Sequence, residues 1–499
     1  MENGVDLYLT DGDASALVRS EANGIQQLSD LGEVLAAVDE HSEPQLARRF
    51  TVITQLDVGA RDALQSLSAE FVAAEDAGDI ALQNQIVASV SQFINRLCAA
   101  YVDLIRQMQL YSPGWRELKE SVPLLLVHAL RALTLQLKWQ LLRYGPVDRD
   151  FWQLLARLWN YAEDRGLESS RVSLPDGEQT NLQREYLKPL MLAISSVETL
   201  PQDELDIAER VSSWLSPLFE LQRHPKKGCH FFIDIDLGTA PARFFAGTRI
   251  RAGQRFFGPA AALEKLDAAS AEIADQGRLP DVLHLEPSDL ERVVEVLGHL
   301  GTHWGARRPG RREERKRSVA LIGVVPGFEQ LLERIGADRM TDLAQDPGVE
   351  IWKVENESEG GYGAVLPFTE SEWVRVGSVM GVRASDGRVW SVGIVRRLAA
   401  RDDNFRYIGV QLLARGARVV VVHSEAGLVE SSNAVLLPSH VGESVSHGEV
   451  TLLLHPGGFS TQSHLRMEFH GRAYLLEPRM LLENGPDYDL AHYRILQGI

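Results

Sequence analysis

The sequence predicts a multidomain α+β protein. It reads as an N-terminal helical bundle, a small mixed α/β module, and a C-terminal antiparallel β-barrel with a further β extension or second barrel behind it. Three observations carry this. Apolar residues recur at spacings of three and four up to about Arg223. The period then falls to two in short runs broken by glycines. From Ser318 onward, β-branched stretches with turn residues between them dominate. The 499 residues allow two to four domains, each with its own core.

Residues 1–40 are polar and read as a loose leader with at most one short helix. The bundle is expected over 41–225. Ile86, Val90, Phe93, Leu97, Tyr101, Leu104 and Met108 fall on one helical face, and Pro113-Gly114 and Gly145-Pro146 are stop signals. Asp150 reads as the cap of a helix from Phe151 to about Asp164, with Gly166 just beyond it. Further helices start near Leu182 and Gln202. The mixed module is expected over 226–305. There Phe231, Ile233, Ile235 and Leu237 alternate with polar or aromatic neighbours, and helical stretches follow near Leu263 and Pro287. The barrel, with its leading arginine segment, is expected over 306–430, including a helical insert from Gly327 to about Ala344. Residues 431–499 form the second β module.

The formal net charge is −18, from 51 basic and 69 acidic side chains. Such a chain repels nucleic acid and anionic membranes, so no DNA or RNA partner and no membrane insertion are expected. The longest apolar stretch, Val122 to Leu142, contains His128, Arg131 and Lys138, which makes a buried helix of it. Cys98 and Cys229 lie far apart, and Met1 to Asp6 lack the basic and apolar regions of a secretory leader. Both features predict a reducing, cytoplasmic setting.

Most chemical signals are weak. Ile235-Asp236-Leu237-Gly238-Thr239 has the form of a phosphate loop, but Ala240-Pro241 and little α/β sequence follow it, so it reads as a strand end. Asp234 and Asp236, near His224 and His230, lack tight metal-ligand spacing and read as a solvated strand face. His128 reads as a satisfied core histidine, and Trp139, Trp152, Trp159 and Trp214 as bundle core. No serine elbow, Walker loop, zincin motif or paired-cysteine spacing occurs. No catalytic residue, metal site or cofactor is assigned.

One stretch differs. Arg307 to Arg317 holds seven basic residues against Glu313 and Glu314, a local island suited to a small anionic ligand. Arginine grips phosphate bidentately and reads the O6/N7 edge of guanine. After one strand and the insert comes Asn356-x-Ser358-x-x-Gly361, where Gly360, Gly361 and Gly363 permit positive φ and close backbone approach. Val376-Gly377-Ser378-Val379, Val392-Gly393-Ile394-Val395 and Tyr407-Ile408-Gly409-Val410-Gln411 follow.

In this order the chain resembles the PilZ family, receptors for bacterial cyclic di-GMP. That family pairs Arg-x-x-x-Arg with a later Asp/Asn-x-Ser-x-x-Gly on a six-stranded barrel. The likeness covers a fifth to a quarter of the chain, and the insert before Asn356 is longer than usual. It implies that cyclic di-GMP is the ligand, with Arg311, Arg312, Arg315, Asn356, Ser358 and Gly361 binding it. Arg308 and Arg312 share the four-residue spacing of Arg311 and Arg315. The latter pair is preferred because it lies nearer the strand at Ser318. The arginine segment would close over the nucleotide and reorient the helical domain, which would hold a protein partner. The rival expectation is a ligand-independent adaptor built on a degenerate barrel.

Overall fold

The structure is a computed structural model. It describes all residues except 1–22, 41–44, 78, 144, 146, 176, 246, 307–315, 337–342, 344–345, 347, 368–369, 372, 386, 388, 402–403, 425–430, 439–447 and 499. The chain divides into two units, Met1–Val197 with Gln202–Gly310, and Glu198–Pro201 with Arg311–Ile499.

The first unit is built on helices α1 (Gly24–Glu40), α2 (Leu46–Gly59), α3 (Arg61–Ala77), α4 (Ile80–Gln109), α5 (Trp115–Leu118), α6 (Val122–Leu142), α7 (Arg149–Glu163), α8 (Leu182–Ile194) and α9 (Gln202–Leu215), with a short antiparallel pair, β1 (Arg171–Ser173) and β2 (Gln179–Asn181), between α7 and α8. The apolar face expected from Ile86 to Met108 is buried along α4. The stretch expected as leader contributes α1. Its Leu28, Leu31 and Leu35 are buried, and Arg96 donates to the Gly32 carbonyl at 2.9 Å. Residues 1–22 of that stretch lie outside the described residues. The N-cap position of α7 is Asp148, whose side chain makes no capping hydrogen bond, and Asp150 sits in the first turn. Gly166 does take a left-handed φ of 65° beyond its end.

α6 is buried almost all round. Its polar side chains find partners inside the protein: His128 meets Asp57 at 3.0 Å, and Lys138 meets Glu209 at 2.8 Å and also Asp206. Only one nitrogen of His128 is bonded, since its Nε2 has no partner among the described residues. Trp139, Trp152 and Trp159 are buried as expected, but Trp214 is half-buried under the Lys265 ammonium. No described helix is long and apolar enough to cross a membrane.

The mixed module expected over 226–305 shares the first unit with the helices before it. A three-stranded antiparallel sheet, β4 (Ala242–Arg243), β3 (Phe231–Asp234) and β5 (Gln254–Phe257) in that order, belongs to the first unit with α10 (Ala260–Gln276) and α11 (Leu290–Trp304). So small a sheet cannot cover its own faces. Phe257 packs on Phe219, which meets Trp304 at 5.5 Å. Asp234 is buried rather than solvated: it accepts from the Leu237 amide at 3.0 Å and pairs with Arg251 at 2.8 Å. The Gly238 turn lies against α7, where an added Cβ would come within 2.7 Å of Gln153 Cα. That contact explains the glycine without a phosphate.

The second unit contains two six-stranded barrels. The first comprises β7 (Leu321–Pro326), β8 (Glu350–Ser358), β9 (Gly361–Pro367), β10 (Val379–Ala384), β11 (Ser391–Ala400) and β12 (Phe405–Arg415). It closes in the ring order β7-β8-β9-β12-β11-β10. A two-residue strand, β6 (Lys316–Arg317), pairs with the same edge of β8 as β7 does. The insert forms α12 (Gly327–Gly336). The second barrel comprises β13 (Arg418–Ser424), β14 (Ser432–Leu437), β15 (Glu449–Leu454), β16 (Leu465–Phe469), β17 (Arg472–Asn484) and β18 (Asp489–Gly498). Its ring order is β13-β14-β15-β18-β17-β16, strand for strand that of the first. The strand from Arg418, expected in the first barrel, therefore opens the second. The turn at Gly416, φ 74°, separates them.

Ile322, Val324, Trp352, Val354, Val395 and Ile408 fill the first barrel. On its outside, Val379, Val392 and Ile394 join Leu331 of α12 and Val435, Leu453 and Leu490 of the second barrel in one apolar cluster. Each such side chain contributes about 1.5–3 kcal/mol when fully buried, so this cluster holds the barrels together.

In the first unit, Arg255 of β5 makes a two-pronged ion pair with Glu163 of α7, Nε to Oε1 at 2.9 Å and Nη2 to Oε2 at 2.5 Å. Both side chains are about nine-tenths buried. Glu163→Gln is expected to cost about 3 kcal/mol by leaving the guanidinium buried and under-paired. Urea denaturation followed by circular dichroism checks this.

Candidate functional site

The site begins with a break in alternation. Trp352 and Val354 point into the first barrel, so strict alternation would turn Asn356 and Ser358 inward as well. A β-bulge at Glu355 prevents this, because Val354 pairs with Ala364 while Asn356 pairs with Gly363. Asn356 and Ser358 are thereby placed on the outer face. A second bulge, at Arg396 of β11, falls at the same level and sets Arg397 opposite Gly409.

Two rows of residues result. One runs Asn356, Gly363, Gly409, Arg397 across β8, β9, β12 and β11. The other runs Ser358, Gly361, Gln411, Ile394. Three of these positions are glycine, which makes a floor of buried backbone. Asn356 Nδ2 donates to the Tyr407 hydroxyl at 3.1 Å, and the pair lies over Gly363 at one side of it. At its other margin the apolar cluster with the second barrel begins, through Ile394.

The glycines serve differently from the sequence expectation. Gly361 and Gly363 lie in extended strand, and neither adopts the left-handed φ. What they lack is a Cβ. At Gly361 it would lie 2.0 Å from the Val410 carbonyl oxygen, and at Gly363 2.1 Å from the Tyr407 hydroxyl and 2.6 Å from Asn356 Oδ1.

Asn356, Ser358 and Gly361 are thus brought together at the β8–β9 hairpin. Arg311, Arg312 and Arg315 lie outside the described residues. The chain following them is described: Lys316 pairs with Glu357, and Arg317 with Asn356. Sequence reasoning missed that Tyr407, Gly409 and Gln411 face outward from the barrel. The signal was present, since buried Ile408 and Val410 imply that the alternate residues face outward.

At the margin toward the second barrel, Arg396 donates through Nε to Gln411 Oε1 at 2.7 Å and through Nη2 to Glu483 Oε2 of β17 at 2.7 Å. Its Nη1 donates to Glu483 Oε1, which also accepts from the Tyr488 hydroxyl. Burial alone would raise the Glu483 carboxyl, but the Arg396 hydrogen bonds and charge outweigh it and hold the group below its ordinary range. Arg396 is 36% exposed, so the pair contributes at most about 1 kcal/mol, far less than the apolar cluster beside it. Its effect is on geometry. Among the described residues no cluster could hold a metal ion.

A closed antiparallel six-stranded barrel with Asn-x-Ser-x-x-Gly at its β8–β9 corner is a PilZ-type domain. Comparison with known families agrees. The model for the N-terminal domain of the cyclic-di-GMP receptor FimW matches residues 19–226, and that for the middle PilZ domain of the same receptor matches 334–418. The chain belongs to this cyclic-di-GMP receptor family, as a PilZ-domain multidomain protein. No curated protein and no solved structure matches it.

Two outcomes are expected. Gly361→Ala, which meets backbone, should destabilise the second unit by about 1–3 kcal/mol, and Gly363→Ala, which meets only side-chain ends, by less. Thermal melts rank them. Glu483 has a depressed pKa, so its contribution is present above the ordinary carboxylate value and lost as pH falls through the folded one. Melts from pH 7 to pH 3 should show a decline that is shallower in Glu483→Gln.

Proposed function

We propose that this chain binds cyclic di-GMP on the glycine floor of its first barrel and acts as a signalling receptor rather than a catalyst. Asn356 and Ser358 contact the nucleotide at the hairpin corner, and Gly361 lets it approach the backbone. Arg311 and Arg315, with Arg312 between them, close over it and supply phosphate and guanine contacts. The nucleotide would dock there as a stacked dimer. The observation that carries this reading is the β6 register. Lys316 and Arg317 are hydrogen-bonded alongside Glu357 and Asn356, so the arginine segment joins the barrel next to the corner it would cover.

Closure of that segment would change how the helical unit is held, and the helical unit would then offer its surface to a protein partner. The free thiols of Cys98 and Cys229 suit a cytoplasmic setting for such a receptor.

Isothermal titration of the full chain with cyclic di-GMP is expected to give saturable heat. The Arg311→Ala, Arg315→Ala double variant should weaken binding at least about tenfold, through lost charge-assisted hydrogen bonds. An Arg308→Ala, Arg312→Ala variant tests the other register. Absence of heat at tens of micromolar nucleotide, or unchanged affinity in both variants, would overturn the reading and favour a ligand-independent adaptor.

A further inference from the structure

We propose that Gln411 contacts the nucleotide and that Glu483, from the second barrel, is its positioning residue, acting through Arg396. The inference rests on the reading that cyclic di-GMP occupies the first barrel's floor. It adds a recognition residue there and gives the second barrel a part in binding.

Gln411 stands directly opposite Gly361, in the row that begins at Ser358. A glutamine amide offers an acceptor at one end and two donors at the other, and its orientation is set by its partners. Here Arg396 Nε, which can only donate, takes the oxygen end at 2.7 Å. The two hydrogens on Nε2 have no partner among the described residues and are left for another acceptor. Arg396 is itself fixed, because both terminal nitrogens are engaged by Glu483, whose Oε1 is braced by the Tyr488 hydroxyl. With Nε on Gln411 and both terminal nitrogens on Glu483, Arg396 orients an amide rather than gripping phosphate. A pair of oriented donors at the Gly361 end of the floor suits hydrogen-bond acceptors of the nucleotide, either the O6/N7 edge of guanine or phosphate oxygen.

The second barrel repeats the strand order of the first but not its floor. The first pairs of β15 with β18 are Glu449 with Arg494 and Thr451 with His492, where the first barrel has Gly361 with Gln411 and Gly363 with Gly409. These side chains close on each other: His492 meets Glu449 and Thr451, each at 3.2 Å. The repeat has filled its own face, and its Glu483 serves its neighbour's.

A double-mutant cycle on the full chain tests this, with cyclic di-GMP titrated calorimetrically into wild type, Gln411→Leu, Glu483→Gln and the double variant. Each single variant should bind about tenfold more weakly, the loss of one well-oriented hydrogen bond. The double variant should bind no more weakly than Gln411→Leu alone, whereas a merely structural Glu483 would add a second loss. Arg396→Lys should reproduce Glu483→Gln and replaces it in the cycle if that variant lacks a cooperative melt. Cyclic di-AMP separates the two acceptors: a loss confined to cyclic di-GMP identifies the guanine edge, and an equal loss for both identifies phosphate. Unchanged affinity in Glu483→Gln and Arg396→Lys, or losses that multiply in the double variant, overturns the proposal and leaves the receptor reading intact. Absence of heat with wild type overturns both.

Discussion

A six-stranded barrel encloses only enough room for its own side chains. Trp352, Val354, Val395 and Ile408 use that room in the first barrel. Anything else the domain holds must therefore be held on the outside, and the outside is divided. Val379, Val392 and Ile394 are committed to α12 and the second barrel. Another part carries Gly361, Gly363 and Gly409, with Asn356, Ser358, Tyr407 and Gln411 around them. Two bulges at one level, at Glu355 and Arg396, turn the polar residues outward on either side of it.

Much of this was legible in the sequence, to the depth that periodicity can reach. Helical spacing from Ile86 to Met108 and the short β-rich runs after Ser318 gave the architecture correctly. The residue types at Asn356, Ser358 and Gly361 marked the corner. Their facing was not legible, because a bulge is one extra residue and leaves no pattern in a single chain. Of the two reasons for glycine there, positive φ does not apply: Gly361 and Gly363 are required by close packing against Val410 and Tyr407. Glu483 could not have been found. It lies 87 residues beyond Arg396 in an unremarkable leucine-rich strand, and only barrel packing brings the two together.

A change of period at about residue 225 marks a change of secondary structure, and the N-terminal family match ends at residue 226. The three strands that follow are too few to be stable alone, so Phe257 and Arg255 are anchored on Phe219 and Glu163 of the preceding helical region. Likewise the strand at Arg418 follows β12 so closely that turn spacing assigns it to the same sheet. Its hydrogen bonds run instead to β14 and β16.

The shared ring order of the two barrels bears on how the chain reaches its native state. Two adjacent units with one connectivity, separated by the turn at Gly416, are prone to strand exchange, in which a segment of one completes the other. Discrimination must then come from side chains. A β9 presenting Gly361 and Gly363 cannot replace a β15 presenting Glu449 and Thr451 without orphaning His492, and the reverse exchange would drive side chains into Val410 and Tyr407. The missing side chains at Gly361 and Gly363 thus also keep each nascent strand with its own barrel.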